Sequence, residues 1–118
     1  MKLYIVRHGQ TDYNIDNKVC GISDVELTSL GKQQAKMASE QLKDISLDMI
    51  FASPLQRAHE TAKIINENHQ LEIKIDSRIQ EINFGKFEGV INNKEFQYYK
   101  QNHALHYPQG ESLFQVVH

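Results

Sequence analysis

Short apolar runs recur along the chain and predict three β-strands. Residues 3–6 form a continuous apolar run rich in β-branched and aromatic side chains, which is typical of a buried strand. Residues 49–52 form a second buried-strand candidate of the same kind. Ile73 and Ile75 alternate with charged residues, and this alternation predicts a third strand near the edge of a sheet.

A helical period follows the first strand and predicts an amphipathic helix. Thr28 belongs to the residue types that cap helices, so we expect the helix to begin there. The apolar side chains of this stretch recur at helical spacing and predict one buried face, made of Leu27, Leu30, Ala35, Ala38, Leu42 and Ile45.

A second helix is predicted directly after the second strand. Ser53 is a capping residue, Pro54 suits the first helical position, and Gln56 completes a capping box. We expect this helix to fade near Asn68. Its predicted buried face consists of Leu55, Ala58, Ala62 and Ile65.

The remaining sequence predicts a loop and a further helix. Gly85 and Gly89 interrupt regular structure, whereas Phe96 and Tyr99, among good helix formers, favour a helix over residues 94–103. The order strand, helix, strand, helix, strand predicts an α/β fold whose parallel sheet is built from crossover connections.

Polar residues suited to phosphate chemistry follow each predicted strand. Arg7 and His8 come directly after the first strand, and Arg57 lies just after the second. Glu81 follows the third strand. Because ligands bind at the carboxyl ends of the strands in open α/β sheets, we expect these four side chains to converge on one edge.

Each of these residue types has a role in phosphoryl transfer. Arginine forks bind phosphoryl oxygens bidentately, and a helix N-terminus adds N–H donors. A neutral imidazole attacks phosphorus and becomes a phosphohistidine, and a carboxylic acid protonates the leaving oxygen. No metal or cofactor is required where arginines and amides neutralise the charge. The residues therefore indicate a metal-free site for phosphoryl transfer.

Composition excludes several other classes of function. Thirteen basic and 15 acidic side chains give a net charge of −2, which offers no general attraction to nucleic acid or an anionic membrane. The single cysteine, Cys20, excludes an internal disulfide, and a reducing cytoplasm is the simplest setting. No apolar run approaches membrane-spanning length, and Arg7 follows the N-terminus too soon for a secretory segment. We expect a single cytoplasmic domain.

Sequence blocks spread over nearly the whole chain resemble those of the histidine phosphatase superfamily. The resemblance implies a phosphoglycerate mutase-like fold, a three-layer sandwich with a mostly parallel sheet flanked by helices. The matching positions are residues 3–11 with Asn14; Gly21, Asp24, residues 27–28 and Gly31; residues 53–55, 57–58 and 61–62; Glu81, Gly85 and residues 88–89; and Pro108 with residues 110–112.

The resemblance also implies the catalytic roles. His8 would be the nucleophile that becomes phosphorylated, and Arg7 and Arg57 would hold the phosphoryl oxygens. Glu81 would donate a proton to the leaving oxygen and later act as the base for water.

The remaining implied roles concern the substrate, a small phosphorylated metabolite. Asn14 would donate a hydrogen bond to the phosphoryl group. The loop around Cys20, Gly21 and Ser23 would line the substrate site. The resemblance implies no cofactor.

The chain departs from the family pattern near its end. Family members carry a second histidine in a Ser-His-Gly-like turn after a late strand, but no His-Gly follows residues 110–112 and the sequence ends six residues after Ser112. In the implied fold that strand lies beside residues 3–6. We therefore expect residues 1–118 to be the N-terminal part of one histidine phosphatase domain. We also expect poor turnover by these residues alone and self-association through exposed strand edges.

Three functions are compatible with these motifs. Residues 81–89 resemble the bacterial phosphatases, whereas mutases usually carry Arg-His-Tyr where this chain has Ile-Asn-Phe at residues 82–84. A phosphatase is therefore favoured over a phosphoglycerate mutase-type phosphoryl transfer. The missing second histidine favours a third possibility, a non-catalytic remnant that only binds phosphorylated ligands.

Overall fold

The computed structural model describes residues 2–81 and 83–101, which form two compact units. The first unit contains residues 2–12 and 24–79, and the second contains residues 13–23, 80–81 and 83–101. The helices are α1 (Asp12–Ile15), α2 (Ser29–Leu42), α3 (Gln56–Asn66) and α4 (Lys94–Gln101), and the strands are β1 (Ile50–Ala52) and β2 (Ile73–Ile75).

Two parallel strands joined by a helix form the sheet of the first unit. β1 and β2 pair with Ile50 opposite Ile73 and Ala52 opposite Ile75, and α3 connects them. Both strands were predicted, and their parallel pairing confirms the crossover connection. The expectation that residues 49–52 are buried is only partly confirmed, because Ala52 is buried but Phe51 is 53% exposed. Within the described part of the chain the sheet has two strands.

α2 begins where the sequence predicts, but its predicted buried face is confirmed only in part: Leu27 and Ala35 are buried, and Leu30 is not. The Thr28 hydroxyl accepts a hydrogen bond from Gly31 N at 3.1 Å, which confirms the predicted N-cap. Gly31, Ala35 and Ser39 are buried at i, i+4 spacing, whereas Leu30 is 48% exposed. The small residues on this face allow α2 to approach the rest of the unit closely.

α3 ends at Asn66, close to the predicted Asn68, and its buried face agrees with the prediction except at Ala58, which is half-buried. Leu55, Ala62 and Ile65 are buried, together with Ile64. The Ser39 hydroxyl of α2 donates to the carbonyl oxygen of Ile64 at 3.2 Å. α2 and α3 are therefore joined by a buried hydrogen bond as well as by apolar packing.

Residues 3–6 do not form the predicted buried strand. No strand is assigned to them, and Leu3 and Ile5 are 77% and 87% exposed. A strand requires a partner that accepts and donates backbone hydrogen bonds. Across residues 2–81 and 83–101, no strand pairs with this segment, so its apolar side chains face solvent.

The turn after β2 is fixed by a local ion pair. Arg78 donates to both carboxylate oxygens of Asp76, with Nη2 2.6 Å from Oδ2, and this hydrogen bonding lowers the pKa of Asp76 to about 2. The backbone N–H of Asp76 donates to the carbonyl oxygen of Ala52 at 2.9 Å. The turn therefore continues the pairing of the two strands beyond β2.

Aromatic packing forms the core of the second unit. Val19, Phe87 and Phe96 are buried, and the rings of Phe84 and Phe96 meet edge to face with centroids 5.2 Å apart. α4 supplies Phe96, which confirms the predicted helix up to Gln101. His103, at the predicted end of that helix, lies outside the described residues.

Gly85 and Gly89 form the predicted break in the second unit. Both have positive φ, +61° and +75°, a conformation that glycine adopts without steric cost.

In the part of the chain that the structure describes, every helix is too short or too polar to cross a membrane.

Candidate active site

His8 and Arg57 are brought together in the first unit. The Nε atom of Arg57 lies 3.2 Å from Nε2 of His8 and donates a hydrogen bond to it. Arg57 comes from the first turn of α3 and is only 1% exposed, although it carries a full positive charge. A charge removed from water in this way requires polar partners, and the imidazole of His8 is one of them.

The hydrogen bonds of His8 fix its tautomer. Because Arg57 donates to Nε2, this nitrogen carries a lone pair and no proton. The other ring nitrogen, Nδ1, lies 2.7 Å from the carbonyl oxygen of Gly9 and therefore donates its proton there. His8 is thus a neutral imidazole with Nε2 as its basic nitrogen, the form required of a nucleophile toward phosphorus.

The residues after His8 are clamped against α2. A Cβ atom added to Gly9 would lie 2.6 Å from the carbonyl oxygen of Gly31, so the two backbones are in direct contact. The N–H of Gln10 donates to Oε1 of Gln34 at 2.8 Å, and its carbonyl accepts from Thr28 N at 3.0 Å. These contacts hold the Gly9 carbonyl that orients the ring of His8.

A remote carboxylate, not the predicted capping box, caps α3. The N-cap position is Leu55, and Ser53 only accepts from Leu55 N at 3.3 Å, so the prediction for Ser53 and Gln56 is wrong. Oδ1 of Asp24 instead accepts from Gln56 N at 2.7 Å. Asp24 thereby satisfies a free N–H group beside Arg57, which the local sequence could not reveal.

The predicted substrate loop lies in the second unit and is organised by Glu88. Oε1 of Glu88 accepts from Gly21 N at 3.0 Å and from Ser23 N at 2.8 Å. Gly21 is buried, and Cys20 and Ser23 are half-buried. The loop therefore has a defined conformation whose hydrogen bonds converge on one carboxylate.

The other predicted site residues are found at exposed positions. Arg7 is exposed in the first unit, and Asn14 is exposed on α1. Glu81 is an exposed residue of the second unit. Of the four predicted catalytic side chains, His8 and Arg57 are in contact, while the proximity of Glu81 to His8 stays a prediction. Among residues 2–81 and 83–101, no cluster of three or more His, Cys, Asp or Glu side chains could hold a metal ion.

The family of this chain is shown by its similarity to known protein families. The sequence profile of the histidine phosphatase superfamily (branch 1) matches residues 3–118. The chain belongs to this superfamily. The matched residues include all eight predicted site residues. The contact between His8 and Arg57 therefore lies within the part of the chain that matches the superfamily.

Named relatives of this histidine phosphatase chain include phosphatases and a mutase. The uncharacterized phosphatase PhoE of Bacillus subtilis (strain 168) is 39% identical over 113 residues, which are 96% of the chain and 57% of that protein. The probable phosphoglycerate mutase GpmB of Proteus mirabilis (strain HI4320) is 30% identical over 125 residues, covering 99% of the chain and 58% of the relative. The chain thus spans little more than half the length of these relatives.

A solved structure confirms the fold of the superfamily. The native structure of mycobacterial glucosyl-3-phosphoglycerate phosphatase superposes with a TM-score of 0.81 at 32% identity, over 92% of this chain and 55% of that one. The histidine phosphatase chain therefore has the predicted phosphoglycerate mutase-like α/β fold, with helices flanking a parallel sheet.

Two residues that hold parts of the predicted site, one in each unit, were not predicted to do so from the sequence. Asp24 and Glu88 match family blocks, but the sequence gives neither a role. Asp24 accepts a hydrogen bond from Gln56, 32 residues away, and Glu88 accepts one from Gly21, 67 residues away. No signal in a single sequence connects residues at such separations. The blocks alone pointed to these positions in the histidine phosphatase chain.

Proposed function

We propose that this chain is the phosphoryl-accepting part of a phosphatase that acts on a small phosphorylated metabolite. The observation that supports the proposal is the hydrogen bond between Arg57 Nε and His8 Nε2 at 3.2 Å. In the proposal, Arg57 is the cation that binds phosphate and Nε2 of His8 is the nucleophile. The chain would act as one cytoplasmic domain, without a metal and without nucleic acid or a membrane as partner.

The proposed reaction has two balanced steps. Nε2 of His8 bonds to phosphorus while the ester oxygen leaves with a proton from Glu81. The Glu81 carboxylate then takes a proton from water, which attacks the phosphohistidine and releases inorganic phosphate with the neutral imidazole restored. Arg7 and Arg57 neutralise the phosphoryl oxygens throughout, and Asn14 donates a further hydrogen bond.

The proposed substrate class is a small phosphorylated organic acid. The names of two relatives refer to phosphoglycerate or its glucosyl derivative, and both relatives align with nearly the whole chain. In the proposal, the loop containing Cys20, Gly21 and Ser23 receives the part of the substrate that distinguishes one ester from another.

A mutase is the second candidate because one relative carries that name. A mutase forms the same phosphohistidine but returns the phosphoryl group to another hydroxyl. The favoured phosphatase gives it to water. Adding glycerate as an acceptor separates the two, since only a mutase would direct phosphate to the acceptor in preference to water.

Trapping the covalent intermediate tests the proposal. The protein is incubated with an aryl phosphate, quenched in base and digested, and the acid-labile phosphate is located by mass spectrometry. We expect the phosphate on His8 and none in His8→Ala. His59→Ala, which removes a half-buried histidine of α3, serves as the matched control and should keep the label. A label on another residue, or no label at all, contradicts the proposal.

The acid role of Glu81 predicts a substrate-dependent loss. Glu81→Gln should slow phosphoryl transfer from alkyl phosphates by about 10²–10⁴-fold and leave transfer from aryl phosphates with good leaving groups nearly unchanged. The reason is that only a basic leaving oxygen needs a proton in the transition state. Rates of phosphohistidine formation from the two ester classes measure this difference. Equal losses on both would remove Glu81 from the acid role.

A further inference from the structure

We propose that Glu88 is a positioning residue that holds residues 20–23, the substrate loop, in the conformation that receives the substrate. The proposal rests on the proposed function for the substrate role of the loop. The part that concerns the conformation of the loop stands on the geometry of the second unit alone.

The Glu88 carboxylate collects four hydrogen bonds. Its Oε1 atom accepts from Gly21 N, from Ser23 N and from the Ser23 hydroxyl, at 3.0, 2.8 and 2.5 Å. Its Oε2 atom accepts from Phe84 N at 3.0 Å. Three donors of the substrate loop and one donor of the residue 83–88 turn therefore meet on a single half-buried side chain.

This pattern of donors matches a carboxyl group. Both oxygens of Glu88 accept hydrogen bonds, which no other side chain of this length allows. An amide at this position would offer one oxygen and one NH₂ group. Whichever way the amide turned, two donors would face each other, either at Phe84 or at the substrate loop.

The backbone just before the substrate loop is already fixed. Val19 N donates to the carbonyl of Val90 at 2.8 Å, and Gly89 N donates to the carbonyl of Val19 at 2.9 Å. This short ladder fixes the start of the substrate loop beside Glu88. These backbone hydrogen bonds end at Val19. Beyond Val19, the Glu88 carboxylate holds the backbone at Gly21 and Ser23.

A loop held in this way acts on binding and not on the chemical step. A preformed loop lowers the ordering entropy that the substrate would otherwise have to offset. Glu88 supplies neither the nucleophile nor the proton. Its loss should therefore raise the substrate concentration needed for half-saturation and leave the transfer rate from bound substrate nearly unchanged.

The thiol of Cys20 provides a direct measure of the order of the substrate loop. Cys20 is the only cysteine in the sequence, it is half-buried, and it lies within the loop. Its rate of reaction with an aromatic disulfide reagent should rise about tenfold in Glu88→Gln, because local opening exposes the thiol. Glu95→Gln is the matched control. It removes an acid of the same unit that forms an exposed ion pair with Lys86, and should leave the rate unchanged.

A second experiment measures the single-turnover rate of phosphohistidine formation at increasing concentrations of an aryl phosphate. Glu88→Gln should raise the half-saturating concentration about tenfold and change the maximal rate by less than about threefold, while Glu95→Gln changes neither. Ser23→Ala removes one of the four donors. It should shift the thiol rate and the half-saturating concentration in the same direction by about threefold, and it keeps the test valid if Glu88→Gln does not fold.

The outcomes separate this proposal from the proposed function. An unchanged thiol rate in a folded Glu88→Gln, or in Ser23→Ala if the former does not fold, overturns the positioning role. A faster thiol reaction with an unchanged half-saturating concentration, or a fall confined to the maximal rate, overturns the link to the substrate. Absence of phosphohistidine in the unaltered protein overturns the proposed function, and with it the substrate role of the loop, while the thiol rates still decide whether Glu88 orders it.

Discussion

Two adjacent stretches of the first unit differ sharply in how they are held. Residues 3–6 are apolar and exposed, whereas residues 8–11 contact α2, α3 or the segment just before α2, with Thr11 completely buried. The difference arises from their partners. The apolar run depends on strand pairing that the described residues do not supply, while the contacts of residues 8–11 come from α2 and α3. The position of His8 is therefore set by helices and not by the strand that was expected to precede it.

Removing the side chain that supports residues 8–11 should have the largest effect. Leu27 is buried and forms an isolated antiparallel bridge with Thr11. Leu27→Ala should lower the free energy of unfolding by about 2–5 kcal/mol, because it leaves a cavity beneath the bridge. Denaturant unfolding followed by circular dichroism gives this value. Leu30→Ala, three residues later and largely exposed, should change it by less than about 0.5 kcal/mol. Similar losses in both variants would show that the Leu27 side chain does not support residues 8–11.

Weakening the cap of α3 should have an intermediate effect. Asp24→Ala leaves the N–H of Gln56 without its carboxylate acceptor, and should lower the free energy of unfolding by about 1 kcal/mol. The same denaturant titration measures it. Asp48→Ala removes an exposed carboxylate elsewhere in the unit and should have no measurable effect. If the two variants were equally stable, the hydrogen bond from Gln56 would not contribute to the start of the helix that carries Arg57.

Changing the exposed apolar run should have the smallest effect on stability. Ile5→Lys places a charge where the side chain already faces solvent, so the free energy of unfolding should change by less than about 0.5 kcal/mol. Self-association should nevertheless weaken, since we expect it to occur through exposed strand edges and lysine blocks such contacts. Light scattering over a concentration series measures it. A large loss of stability in Ile5→Lys would show that residues 3–6 are packed in solution, which would remove the contrast with residues 8–11.

The sequence predicted those elements whose signals are local. Thr28 caps α2 through a residue three positions away, and the two strands around α3 follow from short apolar runs. The failures involve distant partners. Burial of residues 3–6 depends on a neighbouring strand, and the cap of α3 comes from Asp24, 32 residues earlier. A pattern along the chain cannot report such contacts.

The candidate site divides in the same way. His8 and Arg57 were expected to meet because both follow predicted strands, and the two side chains are in contact although no strand is assigned to residues 3–6. The burial of Gly31 instead of Leu30 on α2 could not be predicted from hydrophobicity, because it follows from backbone contact with Gly9. Small residues that let two backbones approach closely do not stand out in a pattern of hydrophobic positions.

The hydrogen bond from Arg57 to His8 also has a consequence for selectivity. A histidine nitrogen with an open lone pair captures stray electrophiles and transition-metal ions, but in this protein the lone pair of Nε2 is already engaged by a buried guanidinium. To release it, a ligand must offer Arg57 a better acceptor than imidazole, and a doubly charged oxyanion does so. Under the proposed function, the phosphate of the substrate would make this exchange at Arg57 and so release Nε2 of His8, while the resting contact would keep that nitrogen from other reactive species.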